Sequence, residues 1–167
     1  SASNEPIRFD AQLGALRSAY RSNNPDEVIV YADKVIRNPQ SDNNQIGQAR
    51  FYQGKVNYDR KYFDLALADF KIVVEKLANE LAGEAHYLIA SIYFNKKELE
   101  ESKQWCLMSN QKIPGQDYWV AKCILLLSDI FVEEKDLFNA RAALEGLLEN
   151  YHGDSELRKT AKEKLEY

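Results

Sequence analysis

The chain has 167 residues and a mass of 19.2 kDa, with 45% hydrophobic and 29% charged residues, a balance that suits a filled core and argues against disorder over most of its length. Twenty-two basic against 26 acidic side chains leave a formal net charge of −4, which argues against a surface built to neutralise phosphates. The longest purely apolar run, Cys123 to Leu127, falls far short of the roughly 18 residues needed for a spanning helix.

Thr160 is the only threonine, while Ala, Leu, Glu and Lys abound, so the chain reads as all-α. In chain order the predicted helices lie near 5–22, 25–37, 43–59, 62–77, 80–95, 98–111, 116–134, 136–150 and 155–166. Asn24-Pro25 sets an N-cap acceptor before a proline at the first helical position, where its missing N–H costs nothing. Asn38-Pro39, Pro114-Gly115 and Gly153-Asp154 mark joins between longer units. The last predicted helix carries a narrow apolar stripe, Leu157, Ala161 and Leu165, on a charged cylinder, as expected of a solvating cap or of the first helix of a further unit. The opening Ser1-Ala2-Ser3 has no initiator methionine and no basic, apolar leader, the pattern expected of a fragment of a larger protein.

Leu16, Gly54, Ala90 and Ser128 head four similar stretches spaced 38, 36 and 38 residues apart. Twelve positions after each comes Val28, Ala66, Ser102 or Ala140. Larger apolar residues recur four and seven positions further on, as in Phe70 and Val73 or Leu144 and Leu147. Small residues let two helices approach closely, and the i, i+4, i+7 spacing lays one buried stripe along the second helix. Each stretch is therefore predicted to be a helix–turn–helix unit.

The order of small and aromatic residues, best seen in Ser128, Phe131, Ala140 and Leu144 and next in Ala90, Tyr93, Ser102 and Cys106, resembles the tetratricopeptide repeat family. The segment from Tyr118-Trp119 to Tyr151 is also similar to the closing repeats of large bacterial cell-envelope members, a resemblance that would place the chain in the bacterial periplasm or cell envelope. The family resemblance implies one domain over 1–167, a right-handed superhelical α-solenoid. Its repeats would lie near 9–42, 43–79, 80–115 and 116–153, with a capping helix over 154–167. Arg50, Gln53 and Asn57 depart from the pattern, standing where the family buries large apolar side chains.

The resemblance also implies a concave groove lined by the first helix of each pair. Its residues would be Leu13, Arg17, Tyr20 and Arg21; Phe51, Lys55 and Tyr58; Tyr87, Ser91, Phe94 and Asn95; and Leu125 and Asp129. Tyrosine and arginine give large contact areas with polar tips, so Tyr20, Tyr58, Tyr87 and Phe94 are the expected anchors for a peptide or partner helix. Arg17 and Lys55 stand where a terminal-carboxylate clamp would want asparagine, so the resemblance does not support chaperone-tail binding. Two rivals follow: a structural spacer or oligomerisation module that associates through the open ends of the stack, and an RNA-binding helical repeat, which the net charge opposes.

No catalytic, cofactor or metal constellation is legible. His86 and His152 are the only histidines, and Glu149-Asn150-Tyr151-His152 is a single Glu-x-x-His where a di-metal bundle needs two. Glycine-rich phosphate loops and a nucleophile elbow are absent, so the reading is a non-enzymatic protein-binding scaffold without cofactor. Cys106 and Cys123 read as two buried thiols, or as a disulfide between neighbouring helices in an oxidising compartment.

Overall fold

The computed structural model describes residues 5–167, with side chains described from residue 11 onward. The opening Ser1-Ala2-Ser3 lies outside the described residues. Among the described residues there are ten helices and no strand: α1 Glu5–Arg21, α2 Pro25–Arg37, α3 Asn43–Asp59, α4 Phe63–Lys76, α5 Glu80–Asn95, α6 Leu99–Leu107, α7 Ser109–Lys112, α8 Asp117–Glu133, α9 Leu137–Asn150 and α10 Ser155–Glu166. The sequence predicted one helix over 98–111. It is two, because the helix stops at Met108 and resumes as the short α7, whose Ser109 is buried. None of the described helices is long and apolar enough to cross a membrane.

The helices pack in sequential neighbouring pairs, and the chain divides into two compact units, Ser1–Leu81 and Ala82–Tyr167. In the first unit α1 lies on α2, α2 on α3 and α3 on α4, with α1 also touching α3. In the second, α6 lies against α8, α8 against α9 and α9 against α10. Ser102 of α6 donates its hydroxyl to the Ala90 carbonyl of α5 at 2.7 Å, closing that pair.

The repeat read from the sequence has a backbone counterpart. Asn23, Lys61, Lys97 and Lys135, each seven positions after the residue heading its copy, all adopt positive φ, between 53° and 63°. Each ends a first helix in the same way: the Lys61 N–H donates to the Tyr58 carbonyl at 2.9 Å and the Tyr62 N–H to the Asn57 carbonyl at 2.8 Å. Asn23/Asn24, Lys97/Glu98 and Lys135/Asp136 repeat this pair of bonds, which satisfies the orphan carbonyls of a helix end and reverses the chain into the second helix. Side-chain caps then open several helices: Asn24 for α2, Asp136 for α9, and Asp42 with Gln45 in a reciprocal box for α3.

The residues at the two repeat positions, small in all but the first copy, are buried in every copy, as are the residues four and seven further on. At Gly54 an added Cβ would lie 2.7 Å from the Phe70 ring, so that glycine is what lets α4 approach α3. Each large apolar side chain so buried contributes about 1.5–3 kcal/mol, which is what holds hairpin to hairpin.

Candidate functional site

In the first unit α1 and α3 meet side by side. Arg17 Nη2 donates to Gln48 Oε1 at 2.6 Å, and the Tyr20 ring tilts against Tyr52 with centroids 4.8 Å apart. Arg17 and Arg21 are exposed, and Tyr20, Lys55 and Tyr58 are half-buried, Tyr58 against Phe63. Leu13 and Phe51, expected on the groove, are instead core residues, Leu13 packed between α1 and its neighbours and Phe51 against the fully buried Phe70. Both stand three residues before the head of their copy, a position that is also buried at Leu125 in the fourth copy and half-buried at Tyr87 in the third, so this position of the first helix faces the apolar layer.

In the second unit the Tyr87 ring lies 5.9 Å from that of Trp119, with Lys122 Nζ 4.9 Å above it. Phe94 is half-buried beneath Lys97, whose Nζ reaches Glu133 at 3.4 Å. Ser91 is half-buried, Asn95 exposed and Leu125 buried. Asp129 pairs with Lys164 of α10. The structure therefore brings Arg17 and Tyr20 together with Gln48 and Tyr52, and Tyr87 with Trp119 and Lys122. Sequence reasoning missed those partners because Gln48, Tyr52, Trp119 and Lys122 stand on the next first helix at positions outside the assumed groove set.

Asp129 lines a groove of about 770 Å³ between α8, α9 and α10, where Val132, Leu137 and Phe138 supply an apolar wall and Arg141 and Lys164 a charged rim. Val132 is 53% exposed, Leu137 67% and Phe138 82%. The positions equivalent to Val132 hold Tyr20, Tyr58 and Phe94, all half-buried, and those equivalent to Leu137 in the second and third copies hold Phe63 and Leu99, also half-buried. At these two positions the fourth copy is thus more exposed than the second and third, and at the position of Phe138 the other copies carry the acids Asp26, Asp64 and Glu100.

One internal contact differs from hairpin to hairpin. Four residues before the head of the second copy stands Arg50, and fifteen after it Asp69; they form an ion pair at 2.9 Å. Asn57 Nδ2 donates to the other Asp69 oxygen at 2.9 Å, and Arg50 also bonds Gln53. Burial pushes the Asp69 carboxyl above its usual range, although Arg50 and Asn57 oppose the shift. In the third copy the same two positions hold His86 and Trp105. The rings lie 4.8 Å apart, and His86 Nε2 donates to the Trp105 carbonyl at 2.7 Å. Burial lowers the His86 pKa below 6.5, which keeps the ring neutral. In the fourth copy the positions hold Ile124 and Ala143, which line a second groove of about 870 Å³ between α8 and α9.

Cys106 and Cys123 are buried free thiols in one apolar cluster. Their mutual hydrogen bond, with burial, pushes the Cys106 thiol up, which makes it a poor nucleophile. His152 is exposed beyond the end of α9. Among the described residues no three His, Cys, Asp or Glu side chains gather as a metal site would require.

No protein-family model and no curated protein matches this chain.

Proposed function

We propose that the chain is a non-catalytic interaction scaffold of the tetratricopeptide type, whose hairpins stack as a right-handed solenoid and hold a peptide or partner helix against the first-helix face. The observation that carries this reading is the 770 Å³ groove at α8–α10, where Val132 and Phe138 stand exposed beside the Asp129–Lys164 pair. Apolar side chains rimmed by charge are the composition of a recognition surface, because the apolar part supplies affinity and the rim fixes register. The half-buried Tyr20–Tyr52 and Tyr87–Trp119 pairs extend the same chemistry to the first-helix face of each unit.

The test is affinity capture with the wild-type chain beside a Val132→Glu/Phe138→Ser variant. Both side chains are largely exposed, so the variant keeps its fold to within about 0.5 kcal/mol. A partner retained by the wild type and lost by the variant supports the reading, and identical capture by both refutes it.

A second reading, self-association through the end of the stack, draws on the same exposed Leu137 and Phe138. Sedimentation over a range of concentrations separates the two. Dimers that dissociate in Phe138→Ser favour self-association, and a monomer at all concentrations favours a foreign partner.

A further inference from the structure

Three helical glycines each carry a side chain seated on the bare backbone. A Cβ added at Gly47 would lie 2.6 Å from Leu77, at Gly54 2.7 Å from Phe70, and at Gly83 2.6 Å from Trp119. Gly146, on the floor of the second groove, is also half-buried in the middle of a helix, yet a Cβ there would meet nothing within 4 Å outside its own helix. A mid-helix glycine costs up to about 1 kcal/mol relative to alanine. At the other three positions close packing offsets that cost; at Gly146 the chain itself supplies nothing. Gly14 is likewise open, but it is exposed.

The repeat register says what the slot would hold. Ala143 and Gly146 occupy the positions of Trp105 and Met108 in the preceding copy. There the Trp105 indole lies on the first helix, against His86. In the fourth hairpin α9 runs on as helix through Gly146, where α6 stops at Met108, and both bulky side chains are absent, with Ile124 and Tyr118 remaining as walls. Asp117, in the first turn of α8, is the only lining residue with a formal charge, so the electrostatic complement is a cation. The groove of about 870 Å³ exceeds what a single indole fills, and Asn110 on its rim can both donate to and accept from a passing peptide backbone.

We infer that the α8–α9 groove is a second docking slot, which takes a tryptophan side chain from a partner polypeptide, with a lysine or arginine next to that tryptophan facing Asp117. The occupant replaces from outside the indole that Trp105 supplies from within. None of the residues lining this slot lines the groove at α8–α10, so the two can be lost separately.

The experiment titrates 15N-labelled chain with three blocked tetrapeptides, acetyl-Ser-Trp-Lys-Ser-amide, its Trp→Ala form and its Lys→Glu form, and with free tryptamine. The first peptide is expected to shift the amides of Ala143 and Gly146. The Trp→Ala form should bind at least tenfold more weakly and the Lys→Glu form about threefold more weakly. Gly146→Met, which restores the side chain found at Met108, should abolish these shifts while the spectrum stays folded. Gly146→Ala, which adds a single methyl group in open space, should weaken binding less and guards against misfolding of the larger variant. Shifts that survive Gly146→Met, equal binding of the alanine peptide, no shift at α8–α9 at millimolar peptide, or tighter binding of tryptamine than of the peptide would each overturn the assignment.

Discussion

The second hairpin, α3–α4, and the fourth, α8–α9, share a backbone plan and differ in what fills the space between their helices. The second closes on Arg50, Asn57 and Asp69, a charged network with Asp69 only 3% exposed. The fourth has Ile124, Ala143 and Gly146 at or beside the same positions and stays open. The main-chain signature, a positive-φ residue and two paired carbonyl bonds, is common to both, at Lys61 and Lys135. The repeat therefore fixes how the chain turns, while the residues between its helices decide whether a hairpin is a sealed structural element or a surface able to receive something.

The largest effect is expected where the sealed hairpin is broken. Asp69→Ala leaves Arg50 partly buried without its partner and should cost about 3–5 kcal/mol, read by chemical denaturation. Replacing both ends, Arg50→Met with Asp69→Leu, should cost clearly less than Asp69→Ala alone, since no orphan charge remains. Equal losses would show that the pair is packed rather than electrostatically coupled.

Acid sharpens the contrast between the units. His86 has a lowered folded pKa, so its contribution to stability is complete above 6.5 and is lost as pH falls from there through the folded value. Asp69 has a raised folded pKa, so its contribution has the opposite sign: present below 3.8 and lost as pH rises through its folded value. Denaturation midpoints followed from pH 7 downward should fall first, and His86→Gln should flatten that fall while Arg50→Met/Asp69→Leu leaves it in place.

Smaller gains are expected at the shared turns. Lys61→Gly and Lys135→Gly relieve a left-handed backbone at a side-chain-bearing residue, and each should stabilise by about 0.5–1 kcal/mol, equally in the two hairpins. Gly146→Ala should stabilise the open hairpin by a similar 0.5–1 kcal/mol. The same change at Gly54 should destabilise the sealed one, because its Cβ would press on Phe70. Thermal melts of the four variants check these signs.

Much of the fold was legible because helix and turn signals are local. Asn24-Pro25 opens α2 as read, and the heads at Leu16, Gly54, Ala90 and Ser128 lead to turns in the same register. The break at Met108 was not legible, since nothing in 98–111 breaks a helix by composition, and the equivalent stretches of α4 and α9 run on as helix. The misfit of Arg50, Gln53 and Asn57 was visible, but its cause was not, because the acid that Arg50 and Asn57 share lies 19 and 12 residues away, on the next helix. Leu13, Phe51 and Leu125 read as groove residues and are core, because which flank of a first helix is covered depends on the neighbouring helices, whereas Val132, Leu137 and Phe138 stand out only when exposure is compared across copies.

The central claim, that the exposed apolar wall of the groove at α8–α10 faces a foreign polypeptide, is tested most directly by photo-crosslinking. p-Benzoylphenylalanine would replace Phe138, or, as a control, the exposed Leu65 of the sealed second hairpin, and each chain would be irradiated in native lysate. The account predicts a discrete adduct to another protein from position 138 and none from position 65. Adducts of equal yield from both positions, or a product of only twice 19.2 kDa, would contradict it.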